Sequence, residues 1–256
     1  MRLVVVSPHL DDGVFGCGDL IASSPGTIVT TVFAGAPSSY VSYTDWDASA
    51  GFTPGDDVVA RRRQEDRAAL RALDAEPLWL DFLDSQYAAP PSLRLRLLRA
   101  VQRRLDLFGS EYTAASALAD VATALDGALS RTSPDTVCLP LGLLHPDHLL
   151  ASDAAFASMR NRPSLTWMVY AEAIYRRVPD AVERRLARLS GRGLRLSPIA
   201  NSQAAASDCK RHAIAQYASQ LRALGGAWAT TLADVYEPEC YWRVTTEPAT
   251  SSQCMP

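Results

Sequence analysis

Short apolar runs alternate with helix-forming stretches along most of this chain, and that alternation limits the folds open to it. Leu3 to Val6 reads as a short, fully buried strand, and Gly13 to Ser23 as the helix after it. Gly26 to Gly35 is β-branched and bounded by glycines, the pattern of a second strand. Val58 to Leu73 lacks Gly and Pro and is rich in helix formers, and Glu76 to Ser85 follows as a third strand with an acidic end. Segments 93–108 and 115–130 are helical by composition and spacing. Asp135 to Gly142 gives a fourth strand, His148 to Asn161 a helix and Leu165 to Tyr175 a fifth strand. A late helix covers Ser207 to Leu224, with Ser207 as its N-cap. Strands that alternate with helices predict an α/β protein with a three-layer α/β/α, Rossmann-like architecture and a mostly parallel sheet. At 256 residues the expected organisation is one domain over 1–248 with a frayed tail at 249–256 and fraying from about Thr245.

Two clusters of polar residues fall where strands of such a sheet should end. "SPHLDD" (Ser7 to Asp12) follows strand one, and "LLHPDH" (Leu143 to His148) follows strand four. They hold three of the four histidines, His9, His145 and His148, together with Asp11, Asp12 and Asp147. Unpaired charge beside an apolar interior is costly, roughly 2–7 kcal/mol even for a neutral polar group, so the clusters need a neutralising partner. Ligands in open α/β sheets bind beyond the carboxyl ends of the strands, at a switch in strand order. A strand order of 3-2-1-4-5 makes strands one and four neighbours and brings the clusters together. Zinc takes imidazole nitrogen and carboxylate oxygen, and a catalytic zinc keeps three protein ligands and an open position. Spacing alone leaves open which Asp and which His would ligate and which would do acid–base work.

Composition removes several other classes. The formal net charge is −3, which gives no field towards nucleic acid or anionic lipid. Cys17, Cys138, Cys209, Cys240 and Cys254 are dispersed, odd in number and without a CxxC pair, which argues against a zinc ribbon or a disulfide framework. Reduced thiols in a cytoplasm are the simpler expectation. The first apolar run is too short for a signal peptide, and no stretch approaches the roughly 20 apolar residues of a membrane span. A soluble, cytoplasmic protein is therefore expected, with oligomeric state open.

Other features have plainer readings. Gly16 and Gly18 open a helix after strand one, but the third glycine of a dinucleotide fingerprint is replaced by Ile21, and strand two ends without an acidic residue for a ribose. Close approach between this segment and its neighbours accounts for both glycines. Arg61 to Arg63 reads as a solvated helix face, and Cys17 as a small core residue. The polar segment Ala36 to Asp57 is long enough to be functional. Its Tyr40, Tyr43 and Trp46 could stack on a sugar or simply pack. His212 is assigned a structural place, and Glu172, at the end of strand five, is placed where it could line the cleft.

"SPHLDDGVFGCG" and "HPDH" resemble the paired signatures of the LmbE-like (PIG-L) zinc-dependent de-N-acetylases. "RRRQEDRAALRAL", "FLDSQY" and "KRHAIAQYASQ" resemble later segments of that family, so the resemblance covers most of Leu3 to Leu224. It implies one Zn2+ per chain held by His9, Asp12 and His148, with other divalent metals able to substitute. It also implies Asp11 as general base, His145 as oxyanion stabiliser, and Asp147 as the group that orients His145 and keeps it protonated. Arg62 and Asp84 match positions near the substrate. The implied activity is removal of an N-acetyl group from an N-acetyl amino sugar or its small-molecule conjugate, with no nucleic-acid partner. Alternatives are a zinc amidase acting on another N-acyl substrate, such as a thiol conjugate or a glycopeptide-type N-acyl sugar, and a non-catalytic binding relative. Leu10 stands where relatives often carry Pro or Thr, and Asp74 stands where the family usually has Gly after Leu at a helix end.

Overall fold

A computed structural model describes residues 2–38, 44–87, 115–201, 205–226 and 232–246. The predicted helix over 93–108, Tyr40, Tyr43 and the 249–256 tail lie outside them. In chain order the elements are β1 (Leu3–Ser7), α1 (Asp12–Ala22), β2 (Thr27–Thr31), α2 (Asp45–Ala50), α3 (Val58–Ala72) and β3 (Ala75–Trp79). There follow α4 (Ala115–Thr132), β4 (Thr136–Pro140), α5 (Pro146–Arg160), β5 (Thr166–Tyr170), α6 (Ala181–Gly191) and β6 (Leu194–Ile199). The last three are α7 (Asp208–Ile214), α8 (Ala218–Gly226) and β7 (Tyr241–Thr246).

The strands form one seven-stranded sheet in the order β3-β2-β1-β4-β5-β7-β6. The first five strands pair in parallel, while β7 is antiparallel to both β5 and β6. Parallel strands covered on both faces read as continuous apolar runs, and all five residues of β1 and of β4 are buried. One apolar layer packs α4 and α5 on the sheet through Val121, Leu125, Leu129, Phe156 and Met159. The opposite layer packs α1, α3 and α7 through Val14, Phe15, Ile21, Leu70 and Ile214. The predicted 3-2-1-4-5 order is present, extended at one edge by the antiparallel pair β7–β6.

The structure differs from the sequence reading in several places, and Arg62, read with Arg61 and Arg63 as a solvated helix face, is instead buried at 5% exposure. The segment 36–57 is not irregular throughout: Thr44 and Asp47 form a capping box that starts α2, and Gly51 ends it in the left-handed region at φ 88°. The late helix is two helices, α7 and α8, with a break at Ala215 to Tyr217. Elements α6, β6 and β7 were not anticipated. Thr245 and Thr246, expected to fray, pair with Arg195 and Leu194 in the β7–β6 ladder.

Two local predictions fit the backbone, and so does one departure from the family pattern. Ser207 caps α7 by accepting from Lys210 N. Asp74 adopts φ 53° just past α3, a conformation glycine takes freely and Asp or Asn tolerates better than most residues. A Cβ on Gly16 would lie 2.5 Å from the Tyr170 ring, and one on Gly18 would lie 2.7 Å from Lys210. Close packing is thus the reason for both glycines. Among the described residues no helix is long and apolar enough to cross a membrane.

Candidate active site

β1 and β4 are adjacent and parallel, so the loops that leave them open at the same edge of the sheet. The first loop is fixed by Ser7, whose hydroxyl accepts from Gly13 N (2.8 Å) and donates to His9 O. It delivers His9 and Asp11, and Asp12 is the first residue of α1. A carboxylate there is favoured by the helix dipole. The second loop ends with His145 as N-cap of α5, Pro146 at its first turn, then Asp147 and His148. His9, Asp11, Asp12, Asp147 and His148 are all at most 9% exposed, and that burial sets their electrostatics.

Asp12 is the centre of the cluster. Its Oδ2 accepts from His9 N (3.0 Å) and lies 3.1 Å from both His9 Nδ1 and His148 Nε2. One donor atom each from His9, His145 and His148 lie within 4.8 Å of one another, as do those of His9, Asp84 and Asp147. Burial acts to lower the pKa of His148, but the Asp12 and Glu172 carboxylates outweigh it and raise it to about 9. His9 is likewise raised well above its ordinary value, since Asp84, Asp12 and Asp147 outweigh burial. Asp12 goes the other way: burial opposes its charge, but His148 and His9 hold it well below the usual carboxylate range. The cluster therefore attracts positive charge. Asp12 Oδ2 stands 3.1 Å from each of its two imidazole neighbours, near the roughly 3.3 Å that bonds of about 2.0–2.1 Å put between neighbouring ligand atoms of a tetrahedral site, whereas neither three-donor group within 4.8 Å contains Asp12.

Asp11 points into the same cleft with a different environment. Burial and the neighbouring Asp12 charge raise its pKa to about 6, against the opposing effect of Arg62. Arg62, on the inner side of α3, reaches Asp11 Oδ1 at 3.8 Å and Asp84 Oδ2 at 3.5 Å. Asp84 also accepts from Gln86 N and Nε2, at 3.0 and 2.8 Å. The two residues expected near a substrate are thus partners of each other and neighbours of Asp11.

His145 and Asp147 are arranged differently from the expectation. The Asp147 carboxylate lies 3.1 Å from His9 Nε2 and accepts from Ser85 N at 2.9 Å, but is 4.0 Å from His145 Nδ1. His145 Nδ1 instead accepts from the backbone N–H of Asp147, at 3.3 Å. Burial and the adjacent His9 and His148 charges lower its pKa to about 4. Asp147 thus meets His145 most closely through its main-chain N–H, while its carboxylate, nearer His9, still acts to raise the His145 pKa. With Nδ1 accepting from that N–H, a neutral His145 ring would carry its proton on Nε2.

These groups line a cleft of about 270 Å³, closed on the other side by Trp46, Ile174, Tyr175 and Leu224. Trp46 Nε1 donates to Gln220 Oε1 at 3.0 Å, which ties α2 to α8 across the cleft. Gln86 and Gln220 fall inside the family-like segments FLDSQY and KRHAIAQYASQ without having been given a role. Ile174, Tyr175 and Leu224 lie in no such segment and reach the cleft through the packing of α8 and the segment after β5.

Imidazoles, carboxylates and a guanidinium that converge beyond parallel strand ends, at the switch in strand order, define a hydrolytic α/β enzyme of the N-deacetylase class. Residues 4–159 match the family described as PIG-L, GlcNAc-PI de-N-acetylase. The chain belongs to the PIG-L family. It is similar to a deacetylase–bog complex from the biosynthesis pathway of teicoplanin, at 26% identity over 98% of this chain and 100% of that one, with a TM-score of 0.73. The A40926 pseudoaglycone deacetylase Dbv21 is similar at 25% identity over 97% and 98%, with a TM-score of 0.70. A zinc-inhibited form of teicoplanin deacetylase Orf2 is similar at 25% identity over 98% and 100%, with a TM-score of 0.71. No curated protein matches the chain.

Proposed function

We propose that this protein removes the acetyl group from an N-acetylated amino sugar, or from a small conjugate of one, with a divalent metal, zinc in the first instance, held by His9, Asp12 and His148. The observation that carries the reading is Asp12 Oδ2 placed 3.1 Å from an imidazole nitrogen on each side, with the Asp11 carboxylate beside it in one cleft. When bound, the metal supplies a water of lowered pKa and a Lewis acid for the acyl oxygen.

The chain's own groups do the proton work. Asp11, ionised above its raised pKa, accepts a proton from the attacking water. Neutral His145 donates from Nε2 to the acyl oxygen as negative charge develops there. A neutral donor suits this role because it adds no second full charge beside the cation. Asp11 then gives its proton to the departing amine nitrogen as the C–N bond breaks. Arg62 keeps Asp11 from rising further in pKa and, with Asp84, presents charged and hydrogen-bonding groups to a sugar's hydroxyls.

The wall of Trp46, Ile174, Tyr175 and Leu224 favours a substrate that carries an apolar or aromatic group next to its polar sugar. That wall equally suits a larger N-acyl group, which makes amide hydrolysis on a longer acyl chain the second reading. The deciding experiment is acetate release from N-acetylglucosaminyl conjugates by metal-defined enzyme, with and without chelator. Chelator-sensitive release of acetate is expected. Release of a longer fatty acid with no acetate would select the second reading, and ligand binding without any turnover would remove both.

A further inference from the structure

The loop after β4 depends on one carboxylate that no motif contains. Glu172 lies two residues beyond β5, 1% exposed. Its Oε1 accepts from Gly142 N at 2.8 Å and from Leu143 N at 3.0 Å, and lies 3.3 Å from His148 Nδ1. Its Oε2 is buried with no hydrogen-bond partner among the described residues. Two backbone donors already point at Oε1, so this oxygen can only accept, and the ring nitrogen facing it has to donate. That places a proton on His148 Nδ1 and leaves Nε2 facing Asp12 Oδ2, itself an acceptor for His9 N. Two acceptors 3.1 Å apart are favourable only with a cation between them or a proton on the ring nitrogen.

We infer that Glu172 is a positioning residue for His148. It fixes the Nδ1–H tautomer, aims Nε2 at the metal position and, through the Gly142 and Leu143 amides, sets the path of the loop that leads to His145. The inference rests on the metal-binding reading given above. Gly142 is part of the device: at φ 88° it takes a conformation in which a side chain is strained, and a Cβ there would lie 2.8 Å from Ser152 Cβ. A carboxylate behind a metal-bound imidazole raises its basicity and fixes its orientation, and loss of such a partner typically weakens metal affinity about 10–100-fold.

The test uses the full chain loaded with zinc. With only four histidines, a two-bond proton–nitrogen correlation spectrum of the histidine-labelled protein reads each ring's tautomer. His148 is expected as Nδ1–H with that proton protected from exchange, and an Nε2–H tautomer would overturn the inference. In parallel, zinc affinity is measured by competition with a chromophoric chelator for wild type, Glu172→Gln and His148→Ala. Glu172→Gln is expected to weaken zinc binding about 10–100-fold while its folded state persists. A residue that merely braced the 142–143 turn would lower the melting temperature and leave zinc affinity and tautomer unchanged, and that outcome also overturns the inference. If Glu172→Gln does not fold, the wild-type tautomer decides alone. Wild type that takes up no divalent metal would remove the metal reading itself, whereas tight wild-type binding that Glu172→Gln leaves intact removes only the role of Glu172.

Discussion

Asp12 and His148, one opening α1 and the other in the first turn of α5, meet with Oδ2 and Nε2 3.1 Å apart. Two helix starts, each delivering a ligand-type atom, converge because β1 and β4 are sheet neighbours. Removal of the imidazole should therefore abolish metal uptake without disturbing the sheet. His148→Ala is expected to retain less than about a tenth of the wild-type metal, read by elemental analysis of the purified protein, with unchanged far-ultraviolet circular dichroism. Chelation of wild type should remove activity, and added metal should restore it. Full metal occupancy in the variant would exclude His148 as a ligand.

Asp11 is expected to behave as a base whose protonation limits the acid side of the rate profile. Its raised pKa of about 6 reflects burial and the Asp12 charge, and a bound cation pulls it lower. The ionised form is the working one, so kcat/KM should fall tenfold per pH unit below a break at or under pH 6 and level off above it. Asp11→Asn should lower kcat by about 10²–10⁴ with metal content unchanged. A variant that keeps wild-type turnover would assign the proton transfer to another group.

The same carboxylate gives Arg62 a measurable role. The guanidinium opposes the rise in the Asp11 pKa and is itself buried at 5% exposure. Arg62→Gln removes the charge while keeping hydrogen-bonding capacity, so Asp11 should hold its proton more tightly. The acid break in kcat/KM is expected to move to higher pH, with kcat at high pH changed less than kcat at pH 6. An unmoved break would show that Arg62 acts on substrate alone.

Much of this arrangement was legible in the sequence, and the limits have physical causes. β1 and β4 are buried on both faces and carry the apolar runs Leu3 to Val6 and Val137 to Leu139, which set both histidine clusters at strand ends from the sequence alone. β6 and β7 are half-exposed: β6 alternates only over Leu194 to Ser197 before Pro198 interrupts it, and Arg243 interrupts β7, so neither carries an apolar run. The break between α7 and α8 has no Gly or Pro to announce it. It lies at Tyr217, whose hydroxyl is held by Asp66 of α3, a tertiary contact rather than a local signal. Glu172 escaped assignment for a similar reason. Its partner His148 is fixed by the β4–β5 register, in which Pro140 faces Tyr170. The carboxylate of Asp147 was assigned to its near neighbour His145, whereas the fold sets it against His9 from the other loop.

Asp66 offers a test of the fold that is separate from catalysis. It is 1% exposed and accepts from Tyr217 OH at 2.8 Å and Trp79 Nε1 at 2.7 Å. Burial raises its pKa from 3.8 to about 7, against the opposing effect of those two hydrogen bonds. In an unfolded chain the group titrates near 3.8, so between about pH 4 and pH 7 the folded state binds more protons than the unfolded state. Stability should therefore fall as pH rises through that window and level off above 7. At 1.36 kcal/mol per pKa unit the span is on the order of 4 kcal/mol. Asp66→Asn mimics the protonated acid: its Oδ1 can accept from Trp79 while its amide donates to the Tyr217 hydroxyl. The variant should match wild type near pH 5 and exceed it near pH 8 in urea midpoint. A wild-type midpoint that is flat from pH 5 to 8, or an Asn variant weakened equally at both ends, would show that Asp66 is buried as a stable anion.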